Sequence, residues 1–165
     1  MKQIITLLLK LLIFWFLFFA FTRCVFILYY YTYFSDIDFF QILSIFPHAL
    51  HLDFSTVCYI LALPVLLFTI YYLHPKRWIN TLNFSVNGII IFLYSLITTA
   101  ELGIYAEWKS KLSSKVFRYF ESPDEIYNSV STSTFFLLLL IFIIQLMLGL
   151  GISKSIPNAK EVAEG

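Results

Sequence analysis

The sequence predicts an all-α, polytopic membrane protein with four transmembrane helices and two outward-facing interfacial helices. Three observations carry that prediction. Residues Ile4–Tyr33, Phe54–Leu73, Phe84–Leu102 and Thr134–Ile152 are nearly unbroken apolar runs, and about 20 helical residues suffice to cross a bilayer core. Hydrophobic residues make up 60% of the chain and charged residues 13%, against about 25% charged in a soluble domain. The mean hydropathy is +0.84. Finally, ionisable residues remain in or at the edges of the apolar runs. These are Arg23, Asp53 and Glu101, and charge at membrane depth is expensive enough to need a purpose.

The same composition excludes several function classes. A net charge of +1 with no basic tract argues against a nucleic-acid partner; the partner implied is the lipid bilayer. No Gly-rich phosphate loop, G-x-S-x-G or H-E-x-x-H occurs. No cofactor or metal is expected in this chain. Cys24 and Cys58 both fall inside spans and read as small inert residues rather than a disulfide.

The elements follow in order, within a transmembrane domain over 1–152 and a polar tail over 153–165. The first span covers about 4–33. It outruns a signal-peptide core and lacks an A-x-A-like cleavage site, so it reads as an uncleaved helix. Lys10 near its start can snorkel to the interface, Arg23 lies near its middle, and Tyr29, Tyr30, Tyr31 and Tyr33 mark the far interface. Ser35 followed by Asp38 resembles a capping box. It opens a short interfacial helix over about 36–46, stopped by Pro47. The second span, about 54–73, contains Pro64 and should kink there. A short basic loop, His74–Trp78, leads to the third span, about 84–102. Asn83, Asn87, Gly88, Thr98 and Thr99 in or beside it suit helix–helix contact in lipid.

Residues 104–120 form the second interfacial helix. Ile104, Trp108, Leu112, Val116 and Phe120 recur every four residues, with Lys109, Lys111, Lys115 and Arg118 off that stripe. Ser122-Pro123-Asp124-Glu125 is a helix-start signal for a helix running into the fourth span, about 134–152. Lys2, Lys10, Lys76, Arg77, Lys154 and Lys160 outweigh Lys109, Lys111, Lys115 and Arg118. By the positive-inside rule both termini are then cytoplasmic.

Two constellations are candidates for chemistry. His48, His51 and Asp53 form H-x-x-H-x-D, a spacing that could supply metal ligands, but no Cys or Glu nearby completes a set. The simpler reading makes Asp53 the N-cap of the second span and leaves the histidines at the interface. The other constellation is an intramembrane ion pair between Arg23 and either Asp53 or Glu101. It reads as a structural tie between helices, because a proton or ion pathway needs further buried carboxylates within the spans. Gln145, alone in the fourth span, reads as an interhelical hydrogen bond. The aromatic residues of the first span read as packing and lipid contact.

Two stretches resemble a known family. HALHLDFSTVCYILALPVLL (residues 48–67) is similar to the signature opening the second span of bacterial lipoteichoic-acid-synthase-like proteins. Those are the membrane phosphoglycerol transferases and membrane-anchored sulfatases of the alkaline phosphatase superfamily. ELGIYAEWKSKLSSKVFRYFESPDEIYNSV (residues 101–130) is similar to their outward segment after the third span, with its acidic residue, Tyr, Trp and later Pro-acidic pair. Arg23 fits the Arg commonly found in their first span. Ala49 and His51 depart from the family's Gly and Arg. The family continues with a fifth span and an extracellular domain carrying a Thr nucleophile and a divalent metal site. No catalytic residue of that domain can be carried over here. The resemblance implies an N-terminal anchor module in the bacterial cytoplasmic membrane, serving a separately encoded or missing catalytic domain. The alternatives are a stand-alone membrane partner subunit, and a small transporter or proton-linked channel using Arg23, Asp53 and Glu101.

Overall fold

In a computed structural model the described residues, 2–34, 37–74, 76–108 and 131–154, are helical apart from short connections. The elements are α1 (Lys2–Tyr29), α2 (Tyr31–Phe34), α3 (Phe39–Leu73), α4 (Arg77–Trp108) and α5 (Thr132–Lys154). Four of them, all but the single turn α2, are long and apolar enough to cross a membrane. Among the described residues there is no strand. This is an all-α chain built for a lipid bilayer, because helices of this kind satisfy every backbone group internally. The contacts divide it into two units, residues 1–90 with 149–165, and residues 91–148.

The first unit is organised by α1 against α3. On α1 the buried residues are Leu7, Leu11, Phe14, Trp15, Phe18, Phe19 and Thr22, the spacing of one helical face. Ile5, Leu9, Ile13 and Leu17 on the opposite face are exposed and suit lipid tails. On α3 the buried stripe is Asp53, Val57, Pro64, Leu67 and Phe68. Leu7 and Leu11 pack with Phe68, and Leu61 and Tyr71 flank them. Phe16 stacks on Phe54 with centroids 6.5 Å apart. Low α1 numbers therefore meet high α3 numbers, so the two helices run antiparallel. Within α1, Phe14, Trp15, Phe18 and Phe19 pack ring on ring. Tyr30 is buried between Phe26, Tyr29 and Tyr33.

The boundaries differ from the sequence expectation at α3. The segment expected as a separate interfacial helix is the beginning of α3, which runs unbroken through both Pro47 and Pro64. A proline removes one intrahelical hydrogen bond and costs about 3 kcal/mol. Ending the helix at Pro47 would unpair several backbone groups and require a second nucleation. One lost bond is the smaller penalty. The cap also moves. Asp38 is the N-cap of α3, its carboxylate accepting from the Phe40 N–H at 3.3 Å, and His74 closes the helix through its N–H to the Ile70 carbonyl at 2.8 Å. Asp53, read from sequence as the cap, lies in mid-helix.

In the second unit, α4 and α5 meet through Thr98 and Gln145, whose side chains lie 2.9 Å apart. Phe92 packs edge-on against Phe142 at 5.6 Å. A side-chain carbon at Gly103 would lie 3.1 Å from Leu138, so glycine permits the close approach there. The third span is longer than expected, since 104–108 continue α4. The rest of the expected second interfacial helix lies outside the described residues, as does the Ser122–Glu125 start signal. The described helix α5 opens with its own cap: Ser131 Oγ accepts from the Thr134 N–H at 3.3 Å.

Candidate functional site

Arg23 and Asp53 come together across α1 and α3. Arg23 continues the buried row Leu11, Trp15, Phe19 at four-residue spacing, so its side chain leaves α1 beside the face that packs. Asp53 leads the buried row of α3, one turn before Val57. The guanidinium meets the carboxylate as a fork. Nη1 donates to Oδ2 at 2.6 Å and Nη2 to Oδ1 at 2.5 Å. The Asp53 side chain is 9% exposed and that of Arg23 23%. Two parallel charge-assisted bonds fix direction as well as distance. Burial in a medium poorer than water strengthens the attraction but also raises the desolvation penalty. The pair is a directional tie between two helices, neutral as a whole.

Its position along the two helices is the second geometric fact. At 1.5 Å rise per residue, Asp53 stands about 30 Å along α3 from Leu73, and Arg23 about 30 Å along α1 from Lys2. A hydrocarbon core is itself about 30 Å thick. The pair therefore stands about one core thickness from the Lys2 and Leu73 ends. Arg23 is not at the centre of its span, as the length of the apolar run suggests. It sits six residues before the end of α1.

The histidines are not gathered at this point. His48 and His51 lie on the exposed part of α3, and His48 Nδ1 is 2.7 Å from the Ser44 carbonyl oxygen. Asp53 is about 200° around the helix from His51, so H-x-x-H-x-D does not converge. Among the described residues no group of three His, Cys, Asp or Glu side chains is placed to hold a metal. Glu101 is half-buried on α4 in the second unit, next to buried Leu102. Cys24 and Cys58 are free and exposed.

Sequence reasoning missed how far the inward row of α4 is polar. Asn87, Ser95 and Thr99 are buried at spacings of eight and four, with Ile91 between them, and Asn87 Nδ2 donates to the Asn83 carbonyl at 3.0 Å. Ser95 Oγ, Thr99 Oγ1 and Gln145 Nε2 are buried without a protein partner. The i, i+4 spacing of those polar residues was the available signal. Comparison with protein-family models, with curated proteins and with solved structures finds no match to this chain.

Proposed function

We propose that this chain is a membrane-anchor module whose α1–α3 hairpin is locked at the outward interface by the Arg23–Asp53 fork. The fork, about 30 Å from the Lys76 loop, is the observation that supports it: it fixes two helices at headgroup level without offering a path across the core. In this reading both termini are cytoplasmic, in keeping with the basic Lys76–Arg77 loop. The resemblance of residues 48–67 and 101–130 to lipoteichoic-acid-synthase-like proteins makes the membrane a bacterial cytoplasmic one. It also makes the module's task the holding, at the outer surface, of a phosphoglycerol-transferase-like or sulfatase-like domain that is not among these 165 residues. The module needs no cofactor of its own and has no hydrolase or transferase activity.

Topology reporters fused after Lys76 and after Lys115 test the orientation; outward activity at Lys76 overturns it. The native cysteines test the depth. Cys24 adjoins Arg23, whereas Cys58 stands about 22 Å from Leu73, within the core. An impermeant maleimide added outside intact cells should label Cys24 and spare Cys58. Equal labelling of the two removes the interfacial placement. Release of phosphate, sulfate or glycerol phosphate by the purified chain would contradict the anchor role.

A further inference from the structure

Near the Lys76 end of the first unit, α1 and α3 part to leave a cavity of about 140 Å³, lined by Leu8, Val65, Phe68, Thr69 and Tyr72. Its walls are apolar in effect, because the Thr69 hydroxyl is already committed to the Val65 carbonyl at 2.9 Å. A dry apolar cavity of about 150 Å³ is large enough to admit a benzene-sized group. Val65, Thr69 and Tyr72 form one ridge of α3, and Tyr72, 76% exposed, stands at its rim. One turn further along the chain is Lys76, exposed, in the connection to α4.

We infer that this cavity seats the upper, benzene-sized length of one acyl chain of an anionic phospholipid whose phosphate is held at the level of Lys76 and the Tyr72 hydroxyl. The inference rests on the bilayer placement above and names a ligand for that same hairpin. Depth and charge both select the occupant. Leu8 stands about 9 Å from the start of α1, and Val65–Tyr72 within about 12 Å of the end of α3. The cavity therefore lies at the depth of the upper acyl chain of the leaflet on the Lys76 side. A lysine at that boundary attracts an anionic headgroup by Coulomb force, and a phenol can donate a hydrogen bond to a phosphate oxygen. A zwitterionic lipid would fill the cavity equally well but gain less from the lysine.

Native mass spectrometry of the whole chain, reconstituted in bicelles of phosphatidylcholine with or without phosphatidylglycerol, tests this. The chain should retain one phosphatidylglycerol in preference to phosphatidylcholine. Lys76→Gln should reduce that preference about fivefold, the effect of one lysine near the surface. It alters an exposed connection and leaves the core intact. Leu8→Trp fills the cavity and should expel the bound lipid while Lys76 remains; Val65→Trp fills it from the other wall if Leu8→Trp does not fold. Equal retention of the two lipids, an unchanged preference in Lys76→Gln, or lipid retained in the filled variants overturns the inference. An outward Lys76 reporter instead overturns the orientation, and leaves the lipid seat to stand or fall on these measurements.

Discussion

The two units join their helices by opposite means. α1 and α3 are tied by a full ion pair, the Arg23–Asp53 fork. α4 and α5 are tied by a neutral contact, Thr98 with Gln145, beside the close approach at Gly103. The difference lies in what happens when one partner is removed. Removing half of the fork takes away a counter-charge and two charge-assisted bonds together. Half of a neutral pair is a hydroxyl or amide, which finds another acceptor: Thr98 Oγ1 already lies within 3.0 Å of the Tyr94 carbonyl and 3.1 Å of the Ser95 carbonyl. The charged tie therefore specifies one register for its helices, and the neutral tie tolerates alternatives.

The largest expected effect follows from that contrast. Asp53→Asn should destabilise the α1–α3 hairpin by about 3 kcal/mol, the low end for breaking a buried pair, because Arg23 keeps some exposure. Folded yield in detergent and unfolding midpoint measure it. The pairing also requires that Arg23→Leu combined with Asp53→Asn recover part of the loss; additive losses in that double-mutant cycle would break the comparison.

A smaller effect is expected in the second unit. Gln145→Leu should change stability by about 0.6 kcal/mol, the average for a side-chain hydrogen bond within a membrane. It also removes the unpartnered Gln145 Nε2, which offsets part of that loss. A loss as large as that of Asp53→Asn would show the neutral contact to be as specific as the charged one.

The smallest concerns Gly103. A methyl group there meets the far end of the Leu138 side chain, which can shift by a few tenths of an ångström. Gly103→Ala should therefore cost under about 1 kcal/mol, below the usual range for overpacking, and partly returned by the higher helix propensity of alanine. Thermal unfolding of the purified variant checks this, and a larger loss would mean that the two backbones, rather than one flexible side chain, set the approach.

The fold class could be read from residues 4–33, 54–73, 84–102 and 134–152 because lipid admits apolar helices and little else. Helix ends were harder. Pro47 looked like a stop, but local propensity says only what a proline costs, not what interrupting a long apolar helix costs in addition. Asp53 looked like a cap because it opens an apolar run. Only its place on the face with Val57 and Pro64 shows that it points at α1.

By itself the sequence determined that the chain is helical, that it belongs in a bilayer, and that Arg23 and Asp53 needed an account, since composition and segment length are local properties that the solvent selects. The tertiary structure decided the antiparallel register of α1 and α3. It decided with it the pairing of Arg23 with Asp53 and the cavity beneath Tyr72. Those depend on which faces of two helices meet, and nearly uniform apolar runs do not encode that choice in their hydropathy.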